Sequence, residues 1–293
     1  MEKNILHIKD GGGCTLDVQK FGGMYFPVIL GLDVLQNFQS MTIREDDIIL
    51  SCYPKSGTHW FWEILSQLSA KKAENTRETW KGDLMIESCP QSALDAAPSP
   101  RVLNTHVRFD QLPTQIALKA CKIVHVVRNP KDVSVSFYNH HRALKDMYNY
   151  KGEFKDYFHM FLDGLVDWGS WFDNTISFIK AKEDNPQLPI KFMYYEDMKQ
   201  DPIARVRELA DFIGVEADEE LIRDICDKCG FENMKAVALE VGRGLIQDGV
   251  PQVFRKGGVG DWRNWFTVAQ NEEFDKVYSE KMAGYDLSIK YSI

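Results

Sequence analysis

The sequence predicts an α/β protein, a single domain with a central, mainly parallel β-sheet flanked by helices. Four apolar, β-branched runs are bounded by turn-forming residues, and segments with helical periodicity lie between them. Strands that alternate with helices are typical of a parallel sheet covered on both faces. The first run is followed at once by a short polar loop with a glycine and then by a helix. This is a P-loop-like strand-loop-helix arrangement, which is suited to binding phosphate.

The four runs give the strands of the sheet in chain order. They are Ile48–Cys52, Val102–Thr105, Lys122–Val127 and Ile190–Tyr195. Helical spacing predicts the covering helices at Trp60–Leu68, Asp132–Leu144, Trp168–Lys180, Ala204–Ile213, Glu219–Asp227 and Asn271–Ala283. Ligands of such sheets bind at the carboxyl ends of the strands, so we expect the functional residues in the loops that follow the strands.

Length, charge and the apolar runs limit the class of protein. At 293 residues the chain suits one domain over residues 1–293, and the glycines at 11–13 predict a mobile N-terminal segment over residues 1–20. A net charge of -8 argues against nucleic acid or an anionic membrane as the main partner. No apolar run approaches the roughly 20 residues that span a bilayer, and the first residues do not resemble a secretion signal.

The cysteines predict a compartment and argue against a metal site. Six are scattered along the chain, several inside apolar runs, which is typical of a reducing compartment, so we expect a cytoplasmic protein. Cys226 and Cys229 form a CxxC pair, but a zinc site needs about four ligands and the sequence has no second such pair. We interpret the pair as structural and expect no metal.

The loop Tyr53–Trp60 is the strongest functional signal. It offers backbone N–H groups at a helix N-terminus, a positive charge from Lys55 and hydroxyl groups from Ser56 and Thr58. The lysine precedes Gly57, so the GxxxxGK[ST] spacing of nucleotide triphosphatases is absent. The loop therefore predicts a phosphate site of another kind.

His106 ends the second predicted strand and is a candidate general base. A histidine at this end of a strand faces the ligand crevice, and its usual pKa of about 6.5 suits proton transfer near neutral pH. The alternative is a histidine that only satisfies a hydrogen bond at the rim of the core. Beside a phosphate site on a neighbouring strand, we prefer the catalytic interpretation.

Two further segments carry phosphate-binding residues. Arg128 ends the third strand, and Ser136 lies about one helical turn beyond Asp132. Near the C-terminus, Arg255 and Lys256 precede a glycine-rich stretch in which the backbone can approach a phosphate closely. The alternatives are a surface arginine at a helix start and an ordinary surface turn. Two separate phosphate sites predict a ligand with phosphates at both ends.

Together these motifs resemble the cytosolic sulfotransferase family, from roughly residue 20 to the end of the chain. The resemblance implies 3′-phosphoadenosine 5′-phosphosulfate (PAPS) as sulfonyl donor, its departure as PAP, and no need for a metal. It implies donor contacts from three loops and two aromatic side chains. These residues are Lys55, Ser56, Gly57, Thr58, His59, Trp60, Arg128, Ser136, Tyr195, Phe231, Arg255, Lys256 and Gly257.

The resemblance also implies a mechanism, which is in-line transfer to a hydroxyl or amine of a small aromatic or hydrophobic acceptor. His106 is then the general base, Lys55 stabilises the leaving phosphate, and Ser136 bonds the 3′-phosphate and helps to position Lys55. By correspondence with the family, the acceptor contacts are Phe26, Phe109, His140 and Trp168.

The segment Arg263–Glu272 resembles the family's dimer motif KxxxTVxxxE, which implies a homodimer. The alternative is that this segment is simply the entry to the last helix, with Thr267 near its N-cap.

The chain departs from the family pattern at two positions near the predicted reaction centre. His59 replaces a threonine of the phosphate loop, and Asn104 stands two residues before His106, where the family often has a lysine. These departures leave open the alternative that the chain is a PAPS- or PAP-binding homologue with impaired catalysis. A P-loop nucleotide kinase is the other alternative, and the position of Lys55 argues against it.

Overall fold

The residues that the computed structural model describes, which are 4–77, 79–242, 246–247, 250–251 and 253–293, form strands and helices in chain order. The strands are β1 (Ile5–Lys9), β2 (Thr15–Phe21), β3 (Met24–Pro27), β4 (Ile48–Cys52), β5 (Val102–Thr105), β6 (Lys122–Val127), β7 (Ile190–Tyr194), β8 (Ile246–Gln247) and β9 (Val250–Pro251). The helices are α1 (Leu32–Asn37), α2 (Thr58–Ala70), α3 (Gln91–Ala96), α4 (Thr114–Leu118), α5 (Pro130–Ala143), α6 (Lys145–Tyr148), α7 (Phe154–Leu162), α8 (Trp171–Asp184), α9 (Tyr195–Gln200), α10 (Pro202–Ile213), α11 (Glu219–Lys228), α12 (Phe231–Glu240) and α13 (Val268–Lys281).

The central sheet is parallel, with the strand order β5-β4-β6-β7, and the predicted fold class is confirmed. Every residue of β4 is buried, because helices cover both faces of the sheet, and this explains why the strand is a continuous apolar run rather than an alternating one. Three predicted strands have the predicted bounds. The fourth ends at Tyr194, because Tyr195 begins α9.

The six predicted helices are present, and local capping fixes where they begin. Gly57 has a φ of 102° and ends the loop directly before Thr58, so α2 begins before the predicted Trp60. Pro130 is the first residue of α5, and the Asn129 side chain accepts a hydrogen bond from the Lys131 amide as N-cap. The helix predicted at 168–180 begins at 171, because the Ser170 side chain caps it.

The predicted mobile segment over residues 1–20 is wrong where the chain forms strands. β1 and β2 pair antiparallel, β3 extends this sheet, and Leu16 and Val18 are fully buried. The glycines form the turn between the strands, where Asp10 accepts hydrogen bonds from the amides of Gly12 and Cys14. Burial of alternating apolar residues therefore orders this segment against the rest of the chain.

The described residues share one buried hydrophobic cluster, which runs from Leu16 to Met282. Because the strands of the central sheet are parallel, the loops that follow β4, β5 and β6 emerge at the same edge, and the C-terminal segment from residue 253 reaches that edge as well. Among the described helices, none has the length and apolar character needed to cross a membrane.

Candidate active site

A cavity of about 510 Å³ opens at the carboxyl ends of the central strands. It brings together most of the predicted site residues, although they are spread over 200 positions of the chain. Those that line it are Lys55, Gly57, Thr58, His59, Trp60, His106, Arg128, Ser136, His140, Trp168, Tyr195, Phe231, Arg255, Lys256 and Gly257. Ser56, Phe26 and Phe109 lie outside this lining.

Lys55 lies at the tip of the first phosphate loop, in a backbone conformation that is rare for its type. Its φ is 68°, in the left-handed region, and such strain is common at functional sites. Its ammonium nitrogen lies 3.4 Å from Nδ1 of His140. Burial, together with the positive charges of Arg128, Lys81 and Arg255, lowers the pKa of Lys55 to about 7. An anionic ligand would relieve this repulsion.

Arg128 connects the two predicted phosphate loops. Its guanidinium donates one hydrogen bond to the Lys55 carbonyl (2.8 Å) and another to the Gly258 carbonyl (3.1 Å). The guanidinium carbon also lies 4.3 Å from the centre of the Tyr195 ring, within cation–π range. Loops that are about 200 residues apart in sequence therefore face one cavity, as a ligand with two phosphates requires.

The loop residues fit a phosphate-bearing ligand. The hydroxyl oxygen of Ser56 and the Nε atom of Arg128 are buried and have no hydrogen-bond partner among the described residues. An unpaired buried polar group costs about 1–3 kcal/mol, which phosphate oxygens would recover. A Cβ atom at Gly57 would stand 2.8 Å from the Tyr195 ring, so only glycine leaves the backbone free to approach the ligand there.

The second phosphate loop holds its cations against a carboxylate. Asp261 accepts hydrogen bonds from Arg255 (2.9 Å) and Lys256 (2.7 Å). Burial acts to raise the pKa of Asp261, but the hydrogen bonds from Lys256, Asn264 and Arg255 outweigh it and hold the pKa at about 2. The two cations are thereby oriented before any ligand binds.

His106 has the geometry of a base with a fixed tautomer. Its Nδ1 atom lies 2.8 Å from the Cys52 carbonyl oxygen, which can only accept, so Nδ1 carries the proton and Nε2 keeps its lone pair. Burial holds the pKa of His106 well below its usual value; Lys81 and Lys55 act in the same direction, and the Cys52 hydrogen bond opposes them. The ring packs edge-on against Trp168, with centroids 5.1 Å apart.

Glu87 supports His106 and was not found by sequence reasoning. One carboxylate oxygen accepts hydrogen bonds from the His106 amide (2.7 Å) and from the Trp168 indole (3.2 Å). Burial raises the pKa of Glu87. The only sequence signal was a carboxylate directly after the apolar residues 84–86, which reads equally well as a surface position.

Asp132 anchors the second phosphate loop, and it also escaped sequence reasoning as a site residue. Its carboxylate accepts hydrogen bonds from the amides of Gly260 (2.7 Å) and Trp262 (2.9 Å). Because Asp132 lies in the first turn of α5 and Arg128 ends β6, the junction of strand and helix holds the loop at two points.

The side chain of Asn104 turns away from the cavity. It is fully buried and donates to the Lys81 carbonyl (2.5 Å) and the Leu84 carbonyl (3.2 Å). Lys81 itself lines the cavity, at the start of a 3₁₀ turn over Lys81–Leu84.

His59, which stands where the family pattern has a threonine, makes aromatic contacts. Its ring lies 4.8 Å from the Trp80 ring and 6.1 Å from the Phe254 ring, and burial together with the charges of Lys81 and Lys55 holds the pKa of His59 well below its usual value. A neutral imidazole therefore lines the cavity there.

The predicted acceptor contacts divide into two pairs. His140 and Trp168 line the cavity, whereas Phe26 and Phe109 do not. Successive residues of a strand point to opposite faces, so on β3 it is Pro27 that reaches the cavity while Phe26 packs in the core. Phe109 packs against Phe178 of α8, with ring centroids 5.7 Å apart. Their assignment as acceptor contacts is therefore corrected.

The CxxC pair closes α11, as its structural interpretation requires. Cys226 and Cys229 are free thiols, and burial raises the pKa of Cys226 to about 11. In the part of the chain that the structure describes, no three His, Cys, Asp or Glu side chains are grouped as metal ligands would be.

Comparisons with known proteins identify the family. Residues 45–286 match the model of the sulfotransferase domain. The chain is 34% identical over 270 residues to Sulfotransferase 1C2 of Rattus norvegicus, covering 88% of this chain and 90% of that protein. It is also 34% identical over 278 residues to Sulfotransferase 1B1 of Mus musculus, covering 90% of this chain and 91% of that protein.

Solved structures agree with the sequence comparisons. The crystal structure of mouse sulfotransferase SULT7A1 complexed with PAP has a TM-score of 0.79 and 33% identity, covering 92% of this chain and 95% of that one. Retinol dehydratase, solved with androsterone and the inactive cofactor PAP, shares the fold with a TM-score of 0.75 at 23% identity. The nucleotide kinase alternative finds no support in these relatives. The chain therefore belongs to the sulfotransferase family and is a PAPS-dependent sulfotransferase.

Proposed function

We propose that this sulfotransferase transfers the sulfonyl group to a hydroxyl or amine of a small aromatic or hydrophobic acceptor, with His106 as general base. The observation that carries the proposal is the hydrogen bond from His106 Nδ1 to the Cys52 carbonyl, which leaves Nε2 as a proton acceptor in the cavity that also contains Lys55. A base and a cation in one partly enclosed site are what proton removal beside a leaving phosphate requires.

The donor would be held by groups that lack partners or repel one another in its absence. Lys55 and the loop residues Gly57–Trp60 line the cavity together with Arg128, Ser136 and Arg255–Gly257, and Ser56 lies in the same loop. Tyr195 and Phe231 offer aromatic surfaces for the adenine. When bound, PAPS supplies the sulfonyl group and leaves as PAP.

The roles of the chain's own residues follow from their protonation states. His106 is neutral at physiological pH and accepts the acceptor's proton at Nε2. Lys55 donates hydrogen bonds from its protonated form to the oxygen on which negative charge develops. Ser136, which belongs to α5 and lines the cavity, would bond the 3′-phosphate and help to position Lys55.

The acceptor would bind on the side of the cavity opposite the phosphate loops. Apolar groups from four parts of the chain line the cavity, as in most small-molecule sites. They are Pro27, Ile29, Leu30, Met85, Met147 and Trp168. His140 adds one polar contact close to Lys55, and it suits a neutral acceptor because burial, Lys55 and His141 hold its pKa well below the usual value.

The test combines turnover with donor binding. The protein is incubated with PAPS and a panel of phenols, alcohols and amines, and sulfated products are measured. We expect His106→Ala and Lys55→Ala each to lower kcat by at least about 100-fold, since either change removes a group that acts in the transition state. His7→Ala, a change of an exposed histidine in β1, is the matched control and should keep full activity.

Two outcomes would contradict the proposal. Full activity of His106→Ala would rule out His106 as the base. Tight binding of PAPS and PAP without turnover on any acceptor would favour the impaired homologue, which the departures at His59 and Asn104 had suggested.

We also propose that the protein works in the cytoplasm. Its six cysteines are free, and four of them are buried, which suits a reducing compartment. Subcellular fractionation tests this location, and recovery of the protein in a secretory fraction would contradict it.

A further inference from the structure

Lys81 is a cation of the cavity that no sequence motif explains. It begins the 3₁₀ turn Lys81–Leu84, lines the cavity and is half-buried. The ion pairs among the described residues leave it without a carboxylate partner. A lysine that is withdrawn from water without a partner is costly, which points to a ligand or a reacting group as its counter-charge.

The strand that leads to His106 also holds the backbone of Lys81 in place. Asn104, two residues before His106 on β5, donates its side-chain amide to the Lys81 carbonyl. The Asn104 carbonyl in turn accepts from the Ile86 amide at 2.9 Å. Asn104 thus fixes the segment 81–86 along the edge of β5, so that Lys81 and His106 are placed by the same strand.

The charge of Lys81 reaches the groups of the reaction centre. It contributes to the low pKa values of His106, His59 and Lys55, in each case after burial as the larger cause. Lys81, His106 and Lys55 line the same cavity, so the charge of Lys81 acts on both the base and the cation of the first phosphate loop. Its own pKa is lowered by burial, with Cys52 and Glu87 acting in the opposite direction.

We propose that Lys81 is a second catalytic cation, which stabilises the negative charge on the sulfonyl oxygens during transfer, and that Asn104 is the residue that positions it. The family often has a lysine at position 104; in this chain the cation comes from a neighbouring segment, and the residue at 104 holds that segment. This inference rests on the proposed function and adds to it the identity of a further reacting-centre residue.

The transfer gives Lys81 a specific task. A bond forms between the acceptor oxygen or nitrogen and sulfur as the bond between sulfur and the bridging phosphate oxygen breaks, and the electron pair of the broken bond stays on that phosphate oxygen. The acceptor proton passes to Nε2 of His106. Lys55 would stabilise the charge on the phosphate oxygen and Lys81 the charge on the sulfonyl oxygens, since both cations line the cavity that also contains His106.

The experiment compares Lys81→Met and Lys81→Arg with Lys228→Met, an exposed lysine outside the cavity, as the matched control. The first readout is equilibrium binding of PAPS and of PAP, which differ only in the sulfonyl group. We expect Lys81→Met to weaken PAPS binding at least about fivefold more than PAP binding. Lys81→Arg and Lys228→Met should keep the wild-type ratio. An unchanged ratio in Lys81→Met would overturn the proposal.

The second readout is turnover with a neutral acceptor that the wild type sulfates. Lys81→Met should lower kcat by about 10- to 100-fold with a smaller change in the acceptor KM, as the loss of one charge-stabilising donor does elsewhere. Loss confined to the KM of acceptors that carry a carboxylate would instead make Lys81 an acceptor-binding residue, and the proposal would be wrong. If the wild type lacks turnover altogether, the proposed function fails, while the PAPS-to-PAP binding ratio still tests Lys81.

Asn104 is tested by a double-mutant cycle and by the titration of His106. Asn104→Ala should lower kcat in the wild-type background and have little further effect in Lys81→Met, because its role runs through Lys81. By NMR titration, the pKa of His106 should rise in Lys81→Met and stay unchanged in Lys228→Met. The assignment would be contradicted if Asn104→Ala and Lys81→Met lowered kcat additively. It would also be contradicted if the pKa of His106 were the same in Lys81→Met as in the wild type.

Discussion

The environment of Lys55 is energetically unfavourable for its charged side chain when no ligand is bound. Its backbone has a φ of 68°, its side chain is partly buried, and Arg128, Lys81 and Arg255 all repel its charge. The resulting pKa of about 7 lies far below the usual value for a lysine, so Lys55 titrates near physiological pH in the ligand-free protein. A ligand with phosphates restores the charge, so binding and protonation are linked.

The first prediction concerns the pH dependence of PAP binding. Bound phosphate favours the protonated form of Lys55, so the pKa of Lys55 is higher in the complex than in the free protein. Binding above pH 7 therefore takes up a proton. Affinity should therefore fall as pH rises, by on the order of tenfold between about pH 7 and pH 9. His59, His106 and His140 stay neutral in this window, because burial lowers their pKa values. Calorimetry at several pH values measures the effect.

Lys55→Met provides the control for this linkage. The variant should bind PAP more weakly at pH 7 and lose most of the dependence between pH 7 and pH 9. A wild-type affinity that stays constant over this range would show that Lys55 keeps its proton in the free protein, contrary to its burial among cations.

At the scale of elements, the junction between β6 and α5 organises the site. Arg128 joins the first phosphate loop to the second, and Asp132 accepts from two amides of the second loop. The packing around Gly257 is equally tight, because this residue has a φ of 62° and a Cβ atom there would overlap the Phe231 ring. The position of the C-terminal loop thus depends on three contacts with elements distant in sequence.

Two adjacent glycines give the second prediction. Gly257→Ala must strain the backbone or displace Phe231, and we expect PAP binding to weaken by about tenfold or more. Gly258→Ala is the matched change, since its Cβ would meet nothing within 4 Å and its φ is not in the left-handed region. The loss of PAP affinity in Gly258→Ala should be much smaller than in Gly257→Ala. Equal losses of affinity in the two variants, measured by calorimetry, would contradict this explanation.

The third prediction concerns Asp132. In Asp132→Ala the amides of Gly260 and Trp262 lose their acceptor, so their hydrogen exchange should become faster and PAP binding should weaken by a few-fold. Asp173→Ala, an exposed carboxylate in the first turn of α8, is the control. Unchanged exchange at both amides in Asp132→Ala would show that other contacts hold the loop.

At the scale of the whole molecule, the start of α13 is the surface on which we propose homodimer formation. Thr267 caps this helix, and its hydroxyl accepts from the Gln270 amide, which agrees with the simpler interpretation of the segment Arg263–Glu272 as a helix entry. The same segment leaves Val268 with 76% of its surface exposed. A cap explains the threonine but not the exposed valine, which a partner subunit would cover.

The fourth prediction tests this surface by light scattering after size-exclusion chromatography. The wild type should elute as a dimer at micromolar concentration, and Val268→Glu should elute as a monomer with its PAP affinity unchanged, because a buried carboxylate disfavours the interface. Leu118→Glu, which alters the equally exposed Leu118 of α4, should remain a dimer. A monomeric wild type would contradict the proposal.

The sequence by itself determined the features that depend on neighbouring residues. The apolar runs placed β4, β5 and β6 at their observed bounds, because strand burial is encoded locally. The prediction of a phosphate site in the loop from Tyr53 to Trp60 likewise rests on neighbouring residues alone. The same reasoning took the glycines at 11–13 as a sign of mobility, since the burial of Leu16 and Val18 depends on segments far along the chain.

Only the tertiary structure decided which side chains meet. Arg128 bridges residues 55 and 258, Glu87 supports His106, and Asn104 turns away from the cavity to hold Lys81. The same packing directs Phe26 into the core, so that it does not reach the acceptor side. These facts depend on side-chain direction and on contacts between distant segments, which local patterns do not specify. The sequence thus determined the chemistry of the loops, and long-range packing decided which charges share one cavity.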